Sequence, residues 1–217
     1  EHLKNPSISA IEEFYAKHYV PENMAICISG DIDPSETIPL IEKYFSSWKS
    51  PTPLRPEPNW KEEPLNGREF VQVKYLGEEQ VLLAFQTAPR FHKDYSALRL
   101  IDMILDNSVA GLINLNLVEK QAVRSAGCFP QNYNDHGAHY LYGMPKDGQT
   151  MEEVEKLLLT QIELVKQGDF EEWVLPAVIN DFKKSQKENL ESNSKRVEML
   201  RDTFLSFVQW EIMEQEI

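Results

Sequence analysis

The sequence predicts an α+β fold, a two-layer structure in which an antiparallel sheet carries helices on one face. Alternating or short apolar runs occur in two pairs, and each pair is joined by a turn of a few residues. Segments with apolar residues at helical spacing follow each pair. The resulting order, ββ-αα-ββ-α-αα, favours antiparallel strands with the helices segregated to one side. The 217 residues are 41% hydrophobic and 26% charged, which is typical of a globular protein rather than a disordered chain.

A helix, a strand and a second helix are predicted in the N-terminal quarter of the chain. Ser9 and Glu12 form a capping box ahead of apolar residues at helical spacing. Residues 24–29 are an apolar run typical of a short buried strand, and Asp33 caps a helix with Pro34 in its first turn. Because one strand and two helices cannot close a sheet, we expect this piece to complete something larger.

A proline-rich stretch divides the chain. Five of the 13 prolines fall within residues 51–65, namely Pro51, Pro53, Pro56, Pro58 and Pro64. Proline fixes φ and lacks a backbone donor, so this stretch can be neither a helix nor a central strand. The sequence therefore predicts an N-terminal piece (residues 1–50), a linker (51–65) and a body (66–217).

Two hairpins and five helices are predicted in the body. The hairpins pair residues 68–76 with 80–88 and residues 125–133 with 138–144. Helices are expected over residues 94–105, 110–121, 150–167 and, in two parts divided at 192–194, over 169–217. The helix over 150–167 has the clearest ends, because Thr150 and Glu153 form a capping box and Gly168 follows as a stop.

The charge balance excludes two classes of partner. With 22 Lys and Arg against 35 Asp and Glu, the formal net charge is −13. Such a charge repels phosphate backbones and anionic lipid, so the sequence predicts no nucleic-acid partner. No apolar run exceeds about five residues, whereas a membrane span needs about 18, so no membrane-spanning segment is predicted.

Candidate site residues are few. His136 and His139 form an H-x-x-H pair, but His136 falls in a turn and residues three apart on a strand point to opposite faces. Cys27 and Cys128 are expected to be buried small apolar residues, with a single bridge between them left open. No nucleophile elbow, phosphate loop or dinucleotide fingerprint occurs. The sequence therefore predicts no catalytic, cofactor-binding or metal-ligating residue in this chain.

Two segments in the first third carry a family resemblance. FYAKHYVPENM at residues 14–24 and GDID at residues 30–33 resemble the signature F-Y-x-x-x-Y-x-P-x-N-M … G-D-x-D. This signature is typical of the insulinase, pitrilysin and mitochondrial-processing-peptidase family of zinc metallopeptidases. IEKYF at residues 41–45 and the proline-rich linker follow in the family's order.

The resemblance implies that the chain is a fragment of a multi-domain clamshell peptidase. In that family two histidines and a glutamate of an H-x-x-E-H helix bind zinc and activate water. By family order this motif would precede Glu1, and none of the chain's five histidines has the pattern. Residues 1–50 are then expected to be the tail of the metal-bearing domain, and residues 66–217 most of a non-catalytic domain. By analogy with the catalytic domain, the metal-binding helix of this second domain would lie at residues 98–102 (LRLID), which contain no histidine.

The resemblance also implies a function at two levels. The parent protein would hydrolyse peptides through a zinc-bound water, while this fragment, inactive alone and without a cofactor, would contribute chamber wall and substrate enclosure. Implied partners are the peptide substrate, through the full-length protein, and the missing upstream catalytic domain. Exposed apolar residues in 1–50 further predict self-association, and large bacterial relatives imply the periplasm or cell envelope. Two alternatives are a lobe of an inactive family member serving as a structural or partner subunit, and an unrelated α+β binding module.

Overall fold

The computed structural model describes residues 4–49, 63–90, 92–107, 110–208 and 210. The described helices are α1 (Ile8–His18), α2 (Pro34–Phe45), α3 (Tyr95–Leu105), α4 (Met151–Gln167), α5 (Val174–Glu191) and α6 (Asn193–Leu205). The described strands are β1 (Val81–Thr87), β2 (Ser125–Asn132) and β3 (Gly137–Met144). The chain forms two compact units: unit 1 comprises Glu1–Asn59 and Ser185–Ile217, and unit 2 comprises Trp60–Lys184. The predicted linker falls almost wholly outside the described residues.

The three strands form one antiparallel sheet in the order β1-β3-β2. β2 and β3 are a hairpin whose register runs from Ser125 opposite Met144 to Asn132 opposite Gly137. β1 pairs with the other edge of β3, which is therefore the central strand. Helices α3 and α4 pack against this sheet and against each other. The predicted α+β class and the second predicted hairpin are confirmed.

The first predicted hairpin is wrong, because β1 pairs with β3 and residues 68–76 form no strand. The alternating apolar side chains of this segment are exposed, with Tyr75 at 88% and Leu76 at 99%. The pairing of β1 instead places Val81 and Leu83 against the buried core. Burial of apolar surface therefore decides the partner of β1, and not proximity in the sequence.

Residues 24–29 also form no strand, although one was predicted there. Ile26 is 52% exposed and Ile28 is 42% exposed, so these two apolar side chains are only partly covered within the described part of unit 1. A strand needs a neighbouring strand to satisfy its backbone groups. The apolar run alone therefore could not settle the local structure.

Two adjoining apolar clusters form the core of unit 2. The first joins the sheet to α4 and to the segment after α3, through Leu105, Ile113, Leu117, Val123, Leu141, Val154 and Leu158. The second joins α3 to the start of α5, through Ile104, Leu112, Val174 and Val178. Gly143 on β3 lets α4 approach the sheet, because a Cβ at this position would lie 2.6 Å from Cγ1 of Val154.

The helix ends follow local chemistry. Thr150 and Glu153 form the predicted capping box of α4, and Gly168 ends that helix at a left-handed φ of 67°. Asp33 caps α2, with its carboxylate accepting a hydrogen bond from the amide of Ser35 at 2.7 Å. Helix α1 begins earlier than predicted. Ser7 rather than Ser9 is its cap, because the Ser7 hydroxyl is the one that reaches a free amide of the first turn.

Helices α1 and α2, both in unit 1, bury fewer side chains than α3 and α4 of unit 2. Neither α1 nor α2 contains a buried residue. Their exposed apolar side chains include Ile8, Ile11, Phe14, Tyr15, Ile38, Leu40, Tyr44 and Phe45. Among the described helices, none is both long and apolar enough to cross a bilayer.

Candidate functional site

Three side chains with metal-ligating or acid–base chemistry meet between α3 and the sheet. Asp102 lies in the last turn of α3, Cys128 in β2 and His139 in β3. In the hairpin register Cys128 faces Leu141 and Pro130 faces His139, so Cys128 and His139 lie on one face of the sheet. This is the face that buries Leu141 and against which α3 packs.

A single carboxylate oxygen connects the three side chains. His139 Nε2 lies 2.8 Å from Asp102 Oδ1, and Cys128 Sγ donates a hydrogen bond to the same oxygen at 3.4 Å. The side chain of His139 is 14% exposed and that of Asp102 is 21% exposed. A second carboxylate is close, because Asp106 Oδ2 accepts a hydrogen bond from the Cys128 amide at 3.0 Å. The site therefore combines sulfur, nitrogen and oxygen atoms in a half-buried setting.

The electrostatics of the site disfavour nucleophilic chemistry. Burial, followed by the negative charges of Asp102 and Asp106, strongly raises the pKa of the Cys128 thiol. The thiolate, and not the thiol, is the reactive form of cysteine. Despite the presence of Cys, His and Asp, the cluster is therefore no activated cysteine nucleophile of the kind that cysteine hydrolases use.

A depression borders the site on the His139 side. It is lined by Thr87, Leu98, Arg99, Ile101, Pro130, Asn132 and His139. The guanidinium of Arg99 lies over the ring of Phe182, with its central carbon 4.7 Å from the ring centroid. On the other side Gly127 is tightly enclosed, because a Cβ there would lie 2.7 Å from Asp106 Oδ2 and from the Tyr142 hydroxyl. His139 is therefore the member of the cluster that lines the depression.

The structure separates the two histidines of the H-x-x-H pair. His136 lies before β3, where its ring contacts Tyr133 with centroids 4.9 Å apart, while His139 faces Asp102. Both cysteines are free thiols. The sequence pairs His139 with His136 in a motif and offers Cys27 as the one possible partner of Cys128, whereas no motif includes Asp102. The register of the β2–β3 hairpin could have brought Cys128 and His139 together, because a turn at 133–136 places both side chains on one face of the sheet.

The chain matches the model of a family described as the Peptidase M16 inactive domain over residues 7–182. No curated protein matches the chain.

Solved structures share the fold. A protease from Helicobacter pylori is 21% identical with a TM-score of 0.90, and the match covers 98% of this chain and 52% of that one. The first half of the periplasmic protease PqqL from Escherichia coli is 14% identical with a TM-score of 0.61, covering 99% and 49%. A conserved protein from Enterococcus faecalis is 18% identical with a TM-score of 0.58, covering 87% and 42%. The chain thus spans about half the length of these proteins.

Proposed function

The chain belongs to the M16 peptidase family, as a lobe of the inactive-domain type, and from this premise we propose that it helps to enclose peptide substrates in a zinc metallopeptidase. The observation that carries the proposal is the match to the inactive domain over residues 7–182. Helix α3, YSALRLIDMIL, supports it because it contains no histidine. The match also supports the absence of a catalytic metal in this part of the protein.

The proposal assigns the parts of the chain to two domains. Residues 1–50 would be the C-terminal tail of the metal-bearing domain, residues 51–65 the linker, and residues 66–217 most of the non-catalytic domain. The exposed apolar faces of α1 and α2 support this division, because the described part of the chain leaves both helices without a buried residue. Helices of this kind need a further packing surface. The missing upstream catalytic domain would supply that surface.

The peptidase assignment predicts a sharp difference between this chain and the complete gene product. We expect the 217-residue chain alone to leave quenched fluorogenic peptides intact, because the zinc-binding H-x-x-E-H motif is absent from its sequence. The complete gene product should cleave them. Changing the glutamate of its upstream H-x-x-E-H to glutamine should lower kcat at least about a hundredfold.

Two results would contradict the peptidase assignment. If the upstream sequence lacks H-x-x-E-H, the lobe belongs to an inactive family member with a structural or partner role. If the purified chain itself cleaves peptides, and this activity co-elutes with it through successive columns, the chain is not a non-catalytic lobe.

The exposed faces of unit 1 predict self-association of the isolated chain. Phe14 is 60% exposed and Tyr44 is 65% exposed, and exposed apolar patches are typical of interaction surfaces. We expect the sedimentation coefficient to rise with protein concentration. The double variant Phe14→Glu/Tyr44→Glu should lower this dependence, whereas Glu12→Gln on the same helix should keep it. A sedimentation coefficient that does not change with concentration would count against the prediction.

A further inference from the structure

The side chains of Asp102, Cys128 and His139 meet from three different elements of unit 2, and no part of the proposed peptidase function uses them. Within the described residues they form a group whose potential ligand atoms all lie within 4.8 Å of one another. We propose that these three side chains bind a zinc ion. The site would be separate from the hydrolytic zinc centre expected in the upstream domain.

The spacing of the ligand atoms suits a tetrahedral ion. Zinc bonds of about 2.0–2.3 Å place neighbouring ligand atoms roughly 3.3–3.7 Å apart. Cys128 Sγ and Asp102 Oδ1 are already 3.4 Å apart, whereas His139 Nε2 and Asp102 Oδ1 are 2.8 Å apart. Zinc entry therefore requires the imidazole and carboxylate to separate by about half an ångström. Rotation of the Asp102 and His139 side chains would supply this movement.

The ligand atoms of the three side chains favour zinc over other divalent cations. Calcium and magnesium take several oxygen ligands, and this group offers one carboxylate, from Asp102, beside sulfur and nitrogen. Thiolate and imidazole ligands together favour zinc among the common cellular divalent cations. The three protein ligands leave one coordination position. Because His139 lines the depression, water or a small ligand could take that position.

The charges near the sulfur favour a cation. Asp102 and Asp106 both lie close enough to disfavour ionisation of the Cys128 thiol by charge repulsion. The same negative charge attracts a divalent ion, which reverses the local balance. On binding, the S–H bond breaks, a zinc–sulfur bond forms, and the proton leaves to solvent. His139 Nε2, which donates a hydrogen bond to the Asp102 carboxylate in the metal-free chain, would release its proton to solvent as Nδ1 takes one up. Its free lone pair would then bind the ion, and coordination would replace both hydrogen bonds to Asp102 Oδ1.

The consequence of such a site is a connection between α3 and both strands of the hairpin. Zinc would hold Asp102 of α3 to Cys128 of β2 and His139 of β3. An ion that binds the folded state but not the unfolded state stabilises the protein in proportion to the logarithm of its concentration. Such a site would contradict the prediction that this chain has no metal-ligating residue, and a cobalt titration distinguishes the two.

The test uses the metal-free 217-residue chain and cobalt chloride as a spectroscopic probe. We expect one equivalent of Co²⁺ to produce a thiolate-to-cobalt charge-transfer band, and zinc chloride to abolish that band by displacement. Cys128→Ser should remove the band. Asp102→Asn and His139→Gln should weaken cobalt binding at least about tenfold. Two matched controls, Cys27→Ser and His136→Gln, should retain both the band and the affinity.

Three outcomes would overturn the site. These are a folded wild-type chain without the charge-transfer band, loss of the band in Cys27→Ser rather than in Cys128→Ser, and unchanged affinity in Asp102→Asn. Circular dichroism verifies the fold of each variant. If Cys128→Ser fails to fold, Asp102→Asn still tests the site. This variant should fold, because the amide oxygen of the asparagine still accepts a hydrogen bond from His139.

Discussion

Replacing Leu141 with alanine is expected to destabilise unit 2 by about 2–5 kcal/mol. Leu141 lies on the central strand β3, is 0% exposed, and belongs to the cluster that joins the sheet to α4. Truncation removes the transfer free energy of three carbons and leaves a cavity that surrounding side chains fill only in part. Urea denaturation, with hydrogen exchange of the β3 amides to identify the transition of unit 2, measures the loss.

The matched control for Leu141 is Leu82 on β1. Leu82 belongs to the same sheet but is 56% exposed, so Leu82→Ala should change the free energy of unfolding by only about 0.5 kcal/mol. If Leu82→Ala and Leu141→Ala lower the free energy of unfolding equally, β3 is not the centre of the core.

Alkaline pH is expected to destabilise the metal-free chain through Cys128. Burial, with the nearby carboxylates of Asp102 and Asp106, raises the pKa of its thiol in the folded state, whereas an unfolded thiol ionises near pH 8.5. Below that pH both states keep the proton and the folded state retains its full stability. Above it only the unfolded state loses the proton, so stability falls by about 1.4 kcal/mol per pH unit until the folded thiol ionises.

The measurement is the free energy of unfolding from pH 7 to pH 10.5 in the presence of a chelator. At pH 10.5 the loss due to Cys128 should reach about 2–3 kcal/mol relative to pH 7. Cys128→Ser should lack this component, whereas Cys27→Ser should retain it. Parallel curves for the wild-type chain and Cys128→Ser would show that the thiol is not protected from ionisation.

Local signals predicted the parts of the fold that depend on neighbouring residues. The capping box of Thr150 and Glu153, the stop at Gly168 and the β2–β3 hairpin involve residues close in sequence, and all three are confirmed. The partner of β1 is β3, whose paired residues lie 50 to 62 positions further along the chain, so alternation at 68–76 gave the wrong pairing. Periodicity identifies which face of a segment is apolar, but it does not identify what covers that face.

Local sequence patterns are limited in the same way for the cluster of Asp102, Cys128 and His139. The hairpin register relates Cys128 to His139, and this relation is available from the sequence once the turn is recognised. The position of Asp102 depends on how α3 packs across the sheet, which is a property of the core. No spacing motif connects a residue on α3 to two strands that follow an intervening π-helical turn at Asn114–Val118.

The close approach at Gly143 couples two positions of the chain in evolution. Any side chain at residue 143 would meet the γ-carbon of Val154, so a larger residue at 143 demands a smaller one at 154. A change at position 143 is therefore tolerated only after position 154 has become smaller. Among descendants of this gene, the two codons should carry a correlated history.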